Sequence, residues 1–274
     1  RMQELRGSSL QRITAEAGVH AGRLQCRVSG IESLPGEPSA EDLARLFATT
    51  ARDREAMVDD LTRWLVDEQP HPGLRSIARA YLDDEAFMLR FREWPAATSH
   101  HHAWRGGLLE HTWEVVRMAR AVLEGPVDDR LLPGLDRGLV LLGAFLHDLA
   151  KVQEIDVDGG FRYTPRGNLV GHLVGGAIDL ERRLASLTDE AGRPMAVPAP
   201  VVDALVHIII SHHGRLEYGA AKLPATPEAV FVAGIDDLAA RTSIALDAVG
   251  RGPGGGVGGG IGEFTDVHPA LGTR

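Results

Sequence analysis

One apolar segment constrains the fold of this 274-residue chain more than any other feature. Residues Gly138 to Leu146 are apolar on every side of a helix, which is typical of a buried central helix, and they run directly into His147 and Asp148. An ionised carboxylate in such a place costs several kcal/mol unless a cation or hydrogen bonds compensate. Adjacent histidine and aspartate side chains are also suitable ligands for a divalent metal. The segment therefore predicts a helical domain with a metal ion near its centre.

The rest of the chain is predicted to be mainly α. Helical periodicity of apolar residues runs from about residue 57 to 94, with a break at 70–73. A last long helix is predicted to begin with Thr226 as N-cap and Pro227 at the first helical position, and to end near Ala248. Four further helices are predicted at about residues 104–124, 136–151, 171–187 and 198–213.

Two segments depart from the helical pattern. Residues Arg23 to Ile31 alternate between apolar and polar side chains, with Leu24, Cys26 and Val28 on one face, which predicts a half-buried strand. Residues 250–262 are so rich in glycine that regular structure would cost much conformational entropy. We expect them to form a flexible loop before a short tail.

Composition excludes several kinds of site. The single cysteine, Cys26, leaves no internal disulfide and no centre built from several thiolates. A formal net charge of -9 argues against a broad basic surface for long nucleic acid, although it allows a local basic groove. The longest apolar run, residues 139–146, is far shorter than the roughly 20 residues that cross a bilayer, and no signal segment is visible near residue 1. We expect a cytoplasmic protein with no membrane partner.

Histidines are concentrated in one part of the chain, since nine of the twelve lie between residues 100 and 213. Histidines and aspartates are predicted on the inward faces of five separate helices. Asp237 is expected to be solvated, and His207 is expected either to lie in the core or to support a ligand without binding metal. Without thiolates, such a set suits Mn²⁺, Fe²⁺, Mg²⁺ or Zn²⁺ better than other common cofactors. The predicted metal ligands are His111, His147, Asp148, His172, His212, His213 and Asp236.

Lys151 follows one turn after His147, on the same side of the helix as Asp148. Its ammonium is placed to meet a substrate phosphate, and a simple helix-end pair with Asp148 is the alternative. The chain lacks the glycine-rich phosphate loop, the G-x-S-x-G nucleophile turn and the H-E-x-x-H zinc motif. A histidine and aspartate centre is therefore the only constellation that predicts chemistry.

The order of these ligands resembles the HD superfamily, helical phosphohydrolases named for the adjacent His-Asp pair. More narrowly, the chain is similar over about residues 15–270 to YhaM-type 3′-to-5′ exoribonucleases. The segments that carry this resemblance read HHAWRGGLLEHT, LLGAFLHDLAKVQEI, GNLVGHLVGGA, IIISHHGRLEYGA, TPEAVFVAGIDDLAAR and GEFTDVH. The chain departs from the family pattern at Ala239, where a second aspartate is expected.

The resemblance implies a two-metal site, with manganese as the expected ion. One ion would take His111, His147, Asp148 and Asp236, and the other would share Asp148. The second ion would add His172 and either His212 or His213. Asp148 and Lys151 would be the catalytic residues. Substrate phosphate would contact His101, His102 and Arg105, although a polar loop is the alternative for the histidines.

The resemblance also implies an organisation into domains. In that family an OB-fold, which holds single-stranded nucleic acid, precedes the HD domain, and GRLQCRVSGIESL resembles the end of such a fold. We expect a partial OB-fold segment at 1–36, a helical connecting region at 37–98, the HD phosphohydrolase domain at 99–249, and the glycine-rich loop and tail at 250–274.

Three functions remain open at this stage. The motif match favours a 3′-to-5′ exoribonuclease that degrades short single-stranded RNA, with DNA as an open alternative, to nucleoside 5′-monophosphates. The negative charge and the incomplete OB-fold segment favour a phosphohydrolase of small or cyclic nucleotides. A non-catalytic nucleotide-sensing module is the third hypothesis, although the presence of every expected ligand argues against it.

Overall fold

The structure is a computed structural model that describes residues 11–20, 23–34, 46–99, 102–123, 132, 134–158, 160–189, 191–249 and 271. The chain forms two compact units, one of Arg1–Ala48 with Val157–Gly160 and the other of Thr49–Asp156 with Phe161–Arg274. The predicted glycine-rich loop lies outside the described residues, and so does His101.

The first unit contains an antiparallel hairpin of strands β1 (Gln11–His20) and β2 (Arg23–Ser33). Sequence analysis predicted one strand here, and its prediction of half-burial is wrong, because Leu24 is 76% and Val28 50% exposed. Alternation does gather the apolar side chains on one face of the hairpin. Burial of that face requires a second layer, which two strands do not supply by themselves. The described part of this unit has two strands, and the partial OB-fold segment expected at 1–36 stays a prediction.

The second unit is helical, which confirms the predicted fold class. Its helices are α1 (Arg54–Thr62), α2 (Pro72–Leu82), α3 (Glu85–Glu93), α4 (Gly107–Leu123), α5 (Arg137–Leu146), α6 (Lys151–Glu154), α7 (Pro165–Leu169), α8 (Gly171–Leu184), α9 (Ala199–Ser211) and α10 (Pro227–Ala248). One π-helical turn, Arg63–Asp67, extends α1, and a 3₁₀ turn occupies Leu216–Tyr218. Strands β3 (Ile155–Asp156) and β4 (Arg162–Tyr163) form a short antiparallel pair. Within the described ranges, no helix has the length and apolar character needed to cross a bilayer.

Local chemistry explains where the site helices begin and end. The side chain of Asp136 accepts from the Leu139 amide at the start of α5, and Thr226 accepts from Ala229 at the start of α10, as predicted. The single helix predicted over 136–151 is wrong, because α5 ends at Leu146 and a tight turn precedes α6. In that turn the Lys151 amide donates to the carbonyl of Asp148, which is the spacing of a 3₁₀ bond.

Helix α5 lies at the centre of the bundle and positions the site. Val140, Leu142, Phe145 and Leu146 on this helix are almost fully buried, and the helix packs against α4, α9 and α10. Gly143 permits the close approach of α9, because a Cβ there would lie 2.7 Å from Cδ1 of Ile208. The C-terminal end of α5 therefore meets the helices that carry the other predicted ligands.

Candidate metal centre

The structure brings all seven predicted metal ligands together beyond the C-terminal end of α5. They come from five places in the bundle, and most of them are buried. Four of them lie just beyond helix ends rather than on the inward helix faces that the sequence predicted. His111 is on α4, His147 and Asp148 are in the turn after α5, His172 is in the first turn of α8, His212 and His213 follow α9, and Asp236 is on α10.

The first group of ligands is the Asp236 set, formed by His111, His147 and Asp236. His111 Nε2 lies 3.2 Å from Oδ1 of Asp236 and 3.3 Å from Oδ2 of Asp148. His147 Nε2 lies 3.4 Å from the same Oδ2 and 3.2 Å from Nε2 of His111. The ligand atoms of His111, His147 and Asp148 thus lie within 4.8 Å of one another, which is close enough to share one ion.

The second group is the His172 set, formed by His172, His212 and His213. Their ligand nitrogens lie within 4.8 Å of one another. His172 Nε2 and His212 Nε2 lie 3.3 Å and 3.5 Å from Oδ1 of Asp148. Each oxygen of Asp148 therefore faces a different set, which is the arrangement of a bridging carboxylate. The two sets adjoin, since atoms of His147, His212 and Asp236 also lie within 4.8 Å of one another.

Hydrogen bonds fix the tautomers of three of these histidines. Nδ1 of His147 lies 2.7 Å from the Ala144 carbonyl, and Nδ1 of His212 lies 2.8 Å from that of Ile209. Nδ1 of His213 lies 2.7 Å from a third backbone carbonyl, that of Tyr218 in the 3₁₀ turn. A carbonyl oxygen only accepts, so each Nδ1 donates, and the neutral ring presents the lone pair of Nε2 to the centre.

Glu154 serves His172 and was missed by sequence reasoning. Its Oε2 lies 2.8 Å from Nδ1 of His172, and its Oε1 accepts from the backbone N–H of the same residue at 3.1 Å. Burial raises the pKa of Glu154, but the contacts with His172 outweigh it and hold that pKa below its ordinary value. The signal that could have found it is the one that singled out Asp148, a carboxylate among buried apolar neighbours, here Val152 and Ile155.

Two observations indicate that this donor set fits a cation. Nε2 of His172 and Nε2 of His213 lie 3.2 Å apart, although the Nδ1 of each is next to an oxygen acceptor. Two Nε2 atoms that converge in this way are arranged as two ligands of one cation. In addition, Oδ1 of Asp148 is buried and accepts no hydrogen bond from the described residues. Nitrogen and carboxylate ligands without sulfur suit a divalent ion of borderline or hard character.

The two sets differ in their protonation. Burial lowers the pKa of His111, but Asp148 and Asp236 outweigh it and raise that pKa to about 9. Burial and the charges of His212 and His172 lower the pKa of His213 to about 4. Burial would raise the pKa of Asp148, yet the positive charge of Lys151 and the contacts with the histidines hold it well below its usual range. In the metal-free protein, the Asp236 set holds a proton and the His172 set includes a neutral histidine.

Lys151 pairs with Asp148 and also borders open space. Its Nζ lies 2.6 Å from Oδ2 of Asp148, and that carboxylate raises the pKa of the lysine although burial lowers it. A cavity of about 220 Å³ opens over the ligands. It is lined by His111, Asp148, Lys151, His212, His213, Tyr218, Asp236, Asp237 and Ala240.

Two of the three predicted phosphate-binding residues, His102 and Arg105, do not line this cavity. Of the described ones, His102 is buried with Nε2 3.2 Å from Glu114, and Arg105 donates two hydrogen bonds to Glu93. Neither is among the described residues that line the cavity. Their substrate contacts, and those of His101, stay predictions.

The carboxylates of a further cluster, which includes His102, accept hydrogen bonds from neighbouring side chains. His102, Glu110 and Glu114 have ligand atoms within 4.8 Å of one another. However, Arg52 donates to both carboxylates at 2.9 and 3.0 Å, and Trp104 donates to Glu110 at 2.9 Å. We therefore interpret this cluster as a set of contacts that stabilises the N-terminal part of α4, and not as a second metal centre.

Comparison with known families agrees with this geometry. Residues 108–241 match the model of the HD domain, a range that contains all seven ligands and Lys151. No solved structure matches the chain. HD domains bind divalent metals. The matched region thus supports a metal-dependent phosphohydrolase of the HD superfamily.

Proposed function

We propose, with the HD domain at residues 108–241 as the premise, that this protein is a two-metal 3′-to-5′ exoribonuclease. It would hydrolyse phosphodiester bonds of short single-stranded RNA and release nucleoside 5′-monophosphates, with Mn²⁺ as the preferred ion. The observation that carries the two-metal part is Asp148, whose two oxygens face two separate sets of ligands.

The residues of the metal centre would have different roles in hydrolysis. Divalent ions, when bound, supply a Lewis acid for the phosphoryl oxygens and an acidified water as nucleophile. Asp148 links the two sets, and the fixed Nε2 lone pairs of the histidines are directed inward in advance. Lys151 keeps its charge despite burial and borders the cavity, so its ammonium is available to neutralise a phosphate.

Features of the cavity support a strand end as the substrate. A volume of about 220 Å³ suits one terminal phosphodiester group better than the width of a duplex. Tyr218 lines it with 58% of the residue exposed, and the guanidinium of Arg215 lies 5.7 Å from the centre of its ring. An exposed tyrosine next to an arginine is suited to stack a nucleobase. The 3′-to-5′ polarity rests on the resemblance of the sequence segments to YhaM-type enzymes.

Hydrolysis of small nucleotides is the second candidate, and charge favours it. Asp237 lines the same cavity with a side chain that is 59% exposed, and Arg241, 3.9 Å away, offsets its charge only in part, so a polyanion meets a carboxylate at the rim. The net charge of the chain is -9, which weakens non-specific attraction of RNA. A mononucleotide or cyclic nucleotide would suffer less from both effects.

A direct assay separates the two candidates. The full chain is incubated with Mn²⁺ at low salt and either a 5′-labelled single-stranded RNA or a panel of mononucleotides and cyclic nucleotides. We expect a ladder that shortens stepwise, is slowed by a 3′-phosphate and stops near the base of a stable hairpin. Asp148→Asn should abolish the ladder, and Asp59→Asn, an exposed control on α1, should leave it intact. Turnover of mononucleotides with RNA left whole would establish the second candidate instead.

A further inference from the structure

We propose that Glu154 is a positioning residue that sets the affinity of one ion only, the ion held by the His172 set. This inference rests on the two-ion assignment in the proposed function and is independent of the substrate. Glu154 would act through His172, whose ring it orients, and would not contact the ion or the substrate.

The contact between the two residues has two points. Oε1 accepts from the backbone N–H of His172 at 3.1 Å, and Oε2 lies 2.8 Å from Nδ1 of the ring. One carboxylate thus holds the backbone N–H of His172 by a hydrogen bond and faces its ring at ion-pair distance, which favours one orientation of the imidazole. Nε2 is thereby directed at Oδ1 of Asp148, 3.3 Å away.

The position of His172 in its helix explains why a side chain is needed. His147 and His212 follow helices, so the carbonyls of Ala144 and Ile209, three residues earlier, accept from their Nδ1 atoms. His172 lies in the first turn of α8, directly after Gly171 with its positive φ of 71°, and the atom beside its Nδ1 is a carboxylate oxygen of Glu154. The preceding N-cap, Val170, has no side-chain acceptor. The acceptor beside Nδ1 of His172 is therefore provided by Glu154, a carboxylate from α6.

Glu154 is itself held firmly. It is the last residue of α6, its side chain is 10% exposed, and the Thr164 amide donates to its carbonyl at 2.9 Å. Gly167 lies so close that a Cβ there would overlap that carbonyl oxygen. A fixed anion behind Nδ1 also makes Nε2 a better electron donor to a metal. Glu154 therefore has the position and the negative charge of a carboxylate that supports a metal-binding histidine from its other ring nitrogen.

The effect should be confined to one ion because the Asp236 set has supports of its own. His111 is held 3.2 Å from Asp236 and 3.3 Å from Asp148, and these contacts involve helices α4 and α10. His147 is oriented by the carbonyl of Ala144. Loss of Glu154 leaves each of these contacts in place.

The test is a calorimetric titration of the metal-free full chain with Mn²⁺, without substrate, together with metal content after dialysis. Wild type should bind two ions. Glu154→Gln should weaken one of them by about 10- to 100-fold and leave the other unchanged. Glu181→Gln, an exposed glutamate on α8, is the matched control and should behave as wild type. His172→Ala should weaken the same ion more strongly.

Two results would overturn the proposal: wild-type binding of both ions by Glu154→Gln, or equal loss of both. Should that variant fail to fold by circular dichroism, Glu154→Asp keeps the charge and withdraws the carboxylate by one methylene. We expect the shorter variant to weaken the same single ion, and unchanged or equal effects on both ions would overturn the proposal as well. A chain that binds two ions but leaves RNA intact contradicts only the proposed substrate.

Discussion

The Asp236 set and the His172 set face different oxygens of one carboxylate, yet they differ in charge. The Asp236 set includes a carboxylate of its own and a histidine whose pKa is raised to about 9, so without metal it is occupied by a proton. The His172 set consists of histidines, one of which has a pKa lowered to about 4. A proton on His111 can therefore compete with a metal ion in the first set, whereas His213 of the second set holds no proton near neutral pH.

Removal of the shared ligand should have the largest effect, because it affects both sets at once. Asp148→Asn takes away the charge that faces both sets, and we expect loss of both ions and a fall in hydrolysis of about a thousand-fold or more. Metal content by mass spectrometry and turnover test this, with Asp59→Asn as the exposed control. Near-normal values of both would show that the two sets do not depend on Asp148.

Removal of the ions themselves should destabilise the domain by a smaller amount. The ligands come from separate helices and converge only in the folded chain, so each ion bound at about 100 times its Kd adds about 2.7 kcal/mol. A chelator that removes both ions should therefore lower the Tm of wild type by about 10–20 °C. The Tm of His172→Ala, which retains the Asp236 set, should fall by about half as much when the chelator is added. A thermal transition that is unchanged after verified metal removal would identify these residues as ordinary buried polar groups.

The difference in protonation predicts a difference in pH dependence. An ion in the Asp236 set must displace the proton of His111, whose pKa is about 9, so its affinity should rise about tenfold per pH unit between pH 7 and 9. His213, with a pKa of about 4, is already neutral there, so it should add no such rise to the affinity of the ion in the His172 set. Titrations of His172→Ala and Asp236→Ala isolate the two ions. Parallel pH profiles would contradict the contrast between the sets.

The smallest effect is expected outside both sets, at Arg105. Its guanidinium pairs with Glu93, so Arg105→Ala should reduce the free energy of unfolding by about 1 kcal/mol and leave the KM for RNA within about twofold of wild type. Denaturant unfolding and steady-state kinetics measure the two quantities. A KM for RNA raised tenfold or more would instead support the predicted contact between Arg105 and substrate phosphate.

Local patterns were enough to predict most of the candidate site. A polar residue on an apolar stripe, or at the end of an apolar helix, has to be buried, and this argument led to His111, Asp148 and Asp236 without any knowledge of contacts. The sequence pattern did not decide whether His212 or His213 binds the second ion. The structure directs Nε2 of His212 at Asp148 and Nε2 of His213 at His172, because successive residues beyond a helix end turn in different directions.

Pairings between distant segments could not be predicted in this way. Glu154 reaches His172 across 18 residues, and Glu93 holds Arg105 across 12, and periodicity carries no information on such partners. The hairpin shows the same limit, since alternation predicted the strand around Leu24 but not whether a second layer covers it. Burial of a strand face is a property of the assembly of layers and not of the strand.

The central claim, that Asp148 bridges two ions, is tested most directly by anomalous X-ray scattering from crystals of the full chain grown with Mn²⁺. The account predicts two peaks, both next to Asp148, one among His111, His147 and Asp236 and the other among the imidazoles of the His172 set. One peak only, or two peaks of which either lies away from Asp148, would contradict it.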